Sequence, residues 1–179
     1  MKKTVWKYGL LSGALVSALL AVTIPFQGED GFNHSLVVGY ATIVLAFLLI
    51  YFGVRSYRDN VGRGRVSFGR ALAVGTLIGV IASLCYVATW EVVYFKFMPD
   101  FMAQYNARAL EKERAAGASE ATLAQKKVEM DKFEKMYRNP AINVAFTMLE
   151  PLPVALVIAL ISAGVLSRRK RPDLELGTA

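Results

Sequence analysis

The chain has only one cysteine, Cys85, and only one histidine, His34, among its 179 residues. A single cysteine cannot form an internal disulfide and offers no Cys-x-x-Cys pair for redox chemistry or zinc. Cys85 also lies in a long apolar run, where cysteine behaves as a small hydrophobic residue. One histidine is too few for the usual histidine-rich zinc sites and for the His-Glu-x-x-His motif. The sequence therefore predicts no metal site.

The motifs of common catalytic sites are missing as well. The chain has neither the Gly-x-x-x-x-Gly-Lys-Ser/Thr loop that binds phosphates nor the Gly-x-Ser-x-Gly turn of serine hydrolases. The Gly-x-Gly at Gly62 and Gly64 is too short for a dinucleotide-binding loop and does not follow a strand. We therefore predict that the protein is not an enzyme and has no catalytic or cofactor-binding residue.

Hydrophobic residues are abundant, at 55% of the chain, and they come in four long runs. A bilayer core needs about 20 apolar residues in a helix, and within lipid only a helix satisfies its own backbone hydrogen bonds. We therefore predict an all-α fold: a polytopic bundle of four transmembrane helices that forms a single membrane domain, residues 1–179, in a lipid bilayer. The predicted transmembrane helices cover about residues 8–24, 35–54, 71–94 and 142–167.

The net charge of +7 comes from basic residues that gather between and beside these runs. Basic residues precede the first run, lie between the second and third, and follow the fourth, whereas the connection after the first run carries Glu29 and Asp30. Lys and Arg accumulate in cytoplasmic segments of membrane proteins. The pattern predicts cytoplasmic N- and C-termini in a bacterial inner membrane. It also accounts for the charge without nucleic acid, so no nucleic-acid partner is predicted.

Two basic segments leave alternatives open. The first run follows Lys2 and Lys3 and could be a cleaved signal peptide, but residues 20–25 offer no small-x-small cleavage site, which favours a retained helix. The arginine-rich, turn-forming stretch around Asp59 to Gly64 is interpreted first as a topology signal. A phosphate or anionic-lipid site is the alternative for that stretch.

Residues 99–140 form the one sizeable segment outside the apolar runs. They are rich in strong helix formers, and Gly117 with Ser119 indicates a stop and a new start. We predict two helices, about 101–116 and 120–138, with Asp100 as the first N-cap. Leu123 and Tyr137 fall on one face of the second helix. This outer hairpin either packs on its own helices or forms a docking surface for a membrane or periplasmic protein.

Charged and kinking residues interrupt two of the apolar runs. Glu150 precedes Pro151 and Pro153, which cannot donate backbone hydrogen bonds, so the fourth helix is expected to kink there. Glu91 is expected at a similar depth near the outer end of the third helix. His34 and Asn143 can reach the same level, which predicts a polar intramembrane cluster for protons, a cation or a ligand headgroup. The alternative is that these groups only help the helices pack.

Small residues recur at four-residue spacing in the first, third and fourth runs. Gly9 with Gly13 and Gly75 with Gly79 are Gly-x-x-x-Gly pairs, which allow two helices to approach closely in lipid. The second helix has no such stripe and carries bulky residues such as Phe47 and Ile50, so we expect it to face lipid more than the other helices do. Tryptophan and tyrosine near the helix ends are interpreted as interface anchors. Trp6, Trp90, Tyr94 and Tyr137 form this set.

One order of motifs resembles a known family. Val66-Ser67-Phe68-Gly69-Arg70-Ala71-Leu72 enters the third helix, residues 90–97 form an aromatic-rich exit, and Met98-Pro99-Asp100-Phe101 leads to a charged helical insert. In these features the chain is similar to the domain-of-unknown-function 4199 family of bacterial membrane proteins, over nearly its whole length. The resemblance implies four helices in a bacterial membrane and supplies no activity and no functional residue.

Three functional hypotheses follow. The first is a structural or accessory subunit that presents the outer hairpin to a partner, and the absence of catalytic motifs favours it. The alternative is a small transporter, or a proton- or cation-coupled protein, that uses Glu150 and Glu91. No internal repeat supports an inverted-repeat transporter. A lipid-modifying membrane enzyme is the third, and it lacks a nucleophile and a metal.

Overall fold

The computed structural model describes residues 1–23 and 32–167, and it describes no side chain at residues 23 and 32–36. The described residues are helical and contain no strand, which confirms the predicted all-α class. A π-helical turn, Val93–Phe97, continues the third helix. The helices are α1 (Lys2–Thr23), α2 (Phe32–Asn60), α3 (Phe68–Val92), α4 (Phe101–Ala115), α5 (Glu120–Tyr137), α6 (Pro140–Met148) and α7 (Pro151–Leu166).

Four helical stretches are long and apolar enough to cross a membrane. Many large apolar side chains on them are exposed, including Leu45, Leu48, Leu160 and Ile161. A soluble monomer rarely exposes so much apolar surface, whereas lipid accepts it without cost. The four helices therefore fit a membrane protein. They are Lys2–Val22, Val37–Asn60, Phe68–Phe97 and Pro140–Leu166.

The chain folds into two compact units, each with its own packing. The first unit consists of Met1–Cys85 and Leu152–Ala179, and it contains α1, α2, most of α3 and most of α7. The second unit is Tyr86–Pro151, which contains the end of α3, the π-helical turn, α4, α5 and α6.

Within the first unit, α3 and α7 approach through small residues. A Cβ atom built at Gly75 would lie 2.9 Å from the Cβ of Ala159, and one built at Gly79 would lie 2.6 Å from the Cβ of Ala155. Real Cβ atoms do not approach this closely, so hydrogen at both positions is what permits the contact. The two stripes of small residues noted in the sequence thus face each other within one chain.

Helix α1 uses its glycines against α3 and a serine against α2. Gly9 faces Ile81, and Gly13 lies so close to Cys85 that an added Cβ would be 2.6 Å from the sulfur. The buried Ser12 hydroxyl donates a hydrogen bond of 2.8 Å to the Ala46 carbonyl on α2. This bond satisfies the hydroxyl in an apolar surrounding and fixes the register of the two helices.

Helix α2 does not face lipid more than the other spanning helices, since a smaller share of the stretch Pro140–Leu166 is buried. Phe47 and Ile50 are fully buried, and Val54 and Tyr57 continue the buried face. Only the other face, with Leu45 and Leu48, is exposed. The reason is geometric: a bulky side chain fills the groove beside a glycine, and the Ile50 side chain lies 3.3 Å from the Cβ position of Gly75.

In the second unit, α4 and α5 form a helical hairpin. Gly117 adopts the left-handed φ of +87° that ends α4, and the Ser119 hydroxyl accepts a hydrogen bond of 3.2 Å from the Thr122 N–H to cap α5. Asp100 occupies the N-cap position of α4, but its side chain makes no capping bond, contrary to expectation. An ion pair between Lys126 and Glu113 joins the two helices.

Candidate functional site

Two stripes of polar and aromatic residues build the candidate site in the second unit. On α6 and the turn after it, Asn143, Thr147 and Glu150 follow at spacings of four and three, which places them on one helical face. On α3, Tyr86 and Trp90 are four residues apart. Asn143, Thr147, Tyr86 and Trp90 are all buried. Buried polar groups of this kind need hydrogen-bond partners.

A directed chain of hydrogen bonds satisfies these groups. The Trp90 Nε1–H donates to the Tyr137 hydroxyl oxygen over 3.1 Å, and the Thr147 hydroxyl donates to Asn143 Oδ1 over 3.1 Å. Because the Thr147 hydrogen is used in this way, the 3.0 Å bond between the two hydroxyls runs from Tyr137 to Thr147. The Asn143 amide then donates to the Tyr137 carbonyl over 3.3 Å, which closes the chain on α5.

Burial favours the protonated form of the Tyr137 hydroxyl. It is the main cause that raises the pKa of Tyr137 above its ordinary value, while the hydrogen bonds with Thr147 and Trp90 lower it. The negative charges of Glu150 and Glu91 raise that pKa further. Both carboxylates therefore lie within electrostatic reach of one hydroxyl, which groups three of the polar residues around it.

Glu150 is placed by a break in the backbone. Helix α6 ends at Met148 and α7 begins at Pro151, so Leu149 and Glu150 form the turn between them. The Tyr86 hydroxyl donates a hydrogen bond of 2.8 Å to Glu150 Oε2. This bond holds the carboxylate beside α3 and uses one of its acceptor sites.

Glu91 has a different environment. Its Oε1 atom is buried and has no hydrogen-bond partner among the described residues. A buried carboxylate oxygen without a donor is costly, by about 1–3 kcal/mol or more for a charged group. Glu91 is therefore the acid of the candidate cluster that has a buried carboxylate oxygen without a partner among the described residues.

Aromatic rings surround the hydrogen-bonded chain and join α3, the π-helical turn, α4, α5 and α6. Edge-to-face and stacked rings of this kind contribute about 0.5–1.5 kcal/mol per pair beyond their buried area. The contacts, between ring centroids, are Trp90–Phe101 at 5.1 Å, Tyr94–Tyr137 at 5.3 Å, Phe133–Tyr137 at 5.5 Å and Phe133–Phe146 at 5.3 Å.

The interpretation of these aromatics as interface anchors is wrong for two of them. Trp90 is 8% exposed and Tyr94 is 2% exposed, so both are core residues of the second unit. Trp6, in contrast, is 57% exposed. The sequence does not distinguish an interface anchor from a buried network residue here. Tryptophan and tyrosine each combine an apolar body with a polar tip, which suits both environments.

The structure places the other predicted residues as follows. Asn143 and Glu150 lie on one face of α6 and its following turn, Glu91 lies on α3, and the side chain of His34 lies outside the described residues. In the described part of the chain, His, Cys, Asp and Glu side chains form no group of three or more that could hold a metal ion. Sequence reasoning missed Tyr86 and Thr147. Thr147 could have been identified from the sequence, because it shares the helical spacing of Asn143 and Glu150.

Comparisons with known proteins add the family. No curated protein and no solved structure matches the chain. The model of a family described as a protein of unknown function, DUF4199, matches residues 7–168, which is most of the chain. This match confirms the family resemblance noted at residues 66–72, where α3 begins, and at the aromatic residues 90–97. The chain belongs to the DUF4199 family.

Proposed function

We propose that this protein is a non-enzymatic accessory subunit of a bacterial inner membrane that presents the α4–α5 hairpin to a partner protein. Both termini lie in the cytoplasm and the hairpin lies on the opposite side of the membrane. The basic residues near Lys3 and Arg65 support this orientation, because Lys and Arg accumulate on the cytoplasmic side.

The observation that carries the proposal is the hydrogen-bonded base of the hairpin. Tyr137, the last residue of α5, accepts from Trp90, donates to Thr147 and receives a bond at its carbonyl from Asn143. A network with every member satisfied rigidifies the elements it joins. A hairpin fixed in this way loses little further conformational freedom when a partner binds, which is what a docking element requires.

The outer face of α5 supplies a surface with defined chemistry. Val128 is 53% exposed and Met136 is also exposed, whereas Leu123 is buried against the hairpin. Lys132 lies between Val128 and Met136, and Lys135 lies beside Met136; neither lysine forms an ion pair with a described residue. The matching partner is a membrane or periplasmic protein with an apolar patch flanked by carboxylates.

Crosslinking from the hairpin tests this proposal. In a Cys85→Ala background, a cysteine at Val128 is treated in intact cells with a membrane-impermeant thiol reagent that carries a photoactivatable group. We expect labelling and a discrete protein adduct after illumination, because Val128 is exposed on the outer side. A cysteine at Gln104, an exposed position of α4, is expected to be labelled without this adduct.

A cysteine at Gly64 is the control for orientation and is expected to remain unlabelled in intact cells. Labelling at Gly64 and not at Val128 would reverse the proposed orientation. Labelling at Val128 with no adduct, or with the same adduct from Gln104, would refute docking through α5.

A proton- or cation-coupled function is the second candidate, and the unused Glu91 acceptor favours it. Buried acids in membrane segments often mark ion or proton pathways. Glu91 Oε1 has no donor among the described residues, and Glu150 lies within reach of the same tyrosine hydroxyl. A carboxylate that is not fully hydrogen-bonded is available to bind a proton or a cation.

Flux through reconstituted protein separates this candidate from the first. Purified protein is placed in liposomes that contain a pH-sensitive dye, and a potassium diffusion potential is imposed. Coupling through the acids predicts proton uptake that Glu150→Gln and Glu91→Gln abolish and that Glu111→Gln, on the exposed side of α4, leaves intact. Uptake equal to that of empty liposomes, or undiminished uptake in Glu150→Gln, would rule the candidate out.

A further inference from the structure

The loop between α2 and α3 has a fixed backbone. The Val61 and Gly62 N–H groups both donate to the Tyr57 carbonyl at 3.0 Å, Gly64 donates to Arg58 and Arg65 donates to Gly62. A Cβ at Gly62 would overlap the Arg65 carbonyl oxygen. A topology signal needs only positive charge and no particular backbone conformation. The ordered turn therefore indicates that the arginines are held in place for another reason.

Arg63 adopts a left-handed φ of 51°, beside Gly64 with φ of +80°. Residues other than glycine adopt this conformation at a cost, and the cost is tolerated where the surrounding structure enforces it. Here the four backbone hydrogen bonds on either side enforce it. The result is that the side chains of Arg63 and Arg65 project from a short turn and not from a flexible linker.

The charges of this loop are only partly neutralised. Asp59 forms ion pairs with Arg58, at 2.7 Å, and with Arg55, at 3.7 Å. The exposed residues Arg63, Arg65 and Arg70 form no ion pair with any described residue. Three guanidinium groups without acids leave a local surplus of positive charge, and guanidinium pairs well with the oxygens of a phosphate group.

Exposed apolar side chains lie at both ends of the loop. Val61 follows α2 and Phe68 begins α3, and both are exposed. The loop joins two helices that are long enough to span a membrane. Apolar groups beside guanidinium groups at the ends of spanning helices match the chemistry of a phospholipid, which offers acyl chains next to a phosphate. Free phosphate would use only the arginines.

We propose that the α2–α3 loop is a binding site for anionic phospholipid, in which Arg63, Arg65 and Arg70 hold the headgroup phosphate and Val61 and Phe68 contact the acyl chains. This site shares no residue with the hairpin, and it includes neither Glu91 nor Glu150. Its failure or success in a test leaves the proposed accessory function unaffected.

Retention of lipid by the purified full-length chain tests the proposal. Native mass spectrometry in mild detergent measures binding of phosphatidylglycerol against phosphatidylcholine. Each arginine near a membrane surface contributes about fivefold in affinity for anionic lipid. Arg63→Gln with Arg65→Gln is therefore expected to weaken phosphatidylglycerol binding about 25-fold. Lys132→Gln with Lys135→Gln removes the same charge from α5 and is expected to leave binding unchanged.

Gly62→Ala keeps every charge and changes only the loop backbone. Because the added Cβ overlaps the Arg65 carbonyl, we expect this variant to show a weaker preference for phosphatidylglycerol while its thermal unfolding in detergent stays close to that of the wild type. Full preference in this variant would refute a preformed site. An unchanged preference in the double arginine variant, an equal loss in the lysine control, or displacement of the lipid by millimolar inorganic phosphate would each overturn the proposal.

Discussion

Replacing Gly79 with leucine is expected to lower both the yield of folded protein and its thermal unfolding midpoint. The Cβ atom alone would lie 2.6 Å from the Ala155 Cβ, and the three further carbons of leucine have no space between α3 and α7. Overpacking costs about 1–3 kcal/mol where the surroundings can shift, and here a helix axis would have to move. That cost is a large part of the roughly 5–15 kcal/mol that stabilises a typical protein. Yield and the thermal unfolding midpoint after detergent extraction measure the effect.

Gly164→Leu is the matched control for this change. Gly164 lies on α7, and nothing is within 4 Å of its Cβ position. The same substitution there adds an apolar side chain at an open position and gains helix propensity. We expect wild-type yield and an unchanged or higher midpoint. Equal behaviour of the two variants would show that α3 and α7 do not pack through Gly79 and Ala155.

Replacing Asn143 with alanine is expected to destabilise the second unit by about 2–6 kcal/mol. The fully buried Asn143 side chain accepts from the Thr147 hydroxyl and donates to the Tyr137 carbonyl, so its loss removes the acceptor of the Thr147 hydrogen and the donor to that carbonyl. Each lost partner costs about 1–3 kcal/mol. Hydrogen–deuterium exchange in α4 and α5 should become faster, because the base of the hairpin is no longer fixed.

Asn60→Ala provides the comparison for the asparagine change. The Asn60 amide also makes hydrogen bonds, to the carbonyl of Ser56 at 2.9 Å and to its hydroxyl at 3.1 Å, but it is exposed to solvent. We expect a change within about 0.5 kcal/mol there. If Asn143→Ala is as mild as Asn60→Ala, or if exchange in α4 and α5 is unaffected, the hydrogen-bonded chain does not fix the hairpin.

The helices themselves could be predicted from the sequence because their causes are local. Lipid thickness sets the length of an apolar run, and Gly117 with Ser119 marks the turn of the hairpin through backbone conformation and capping. Helix α2 shows where this reasoning ends. A helix that is apolar on all sides has no polar face to indicate which side is buried, so the burial of Phe47 and Ile50 depended on tertiary packing.

The candidate site was predictable only as a set of residue types. Glu91, Glu150 and Asn143 stand out because polar groups are rare in apolar runs. Their partners do not stand out, since tyrosine, tryptophan and threonine suit many environments. Side-chain pairing along one helix has the same ambiguity. Asp131 has a lysine four residues away in each direction, Lys127 and Lys135, and it pairs with Lys127 at 2.9 Å.

The packing of the first unit, with small residues between two helices and large apolar residues outside, has a consequence for how its sequence can vary. Its contact between α3 and α7 is closed by hydrogen and methyl groups at positions such as Gly79 and Ala159, and its outer surface carries leucine, valine and isoleucine. A fluid hydrocarbon solvent conforms to any apolar shape, so Leu11, Leu45 and Val157 can exchange with other aliphatic residues at little cost. The packed positions and the outer surface of this unit have nearly the same hydropathy. Side-chain volume, and not hydrophobicity, distinguishes the restrained positions from the free ones.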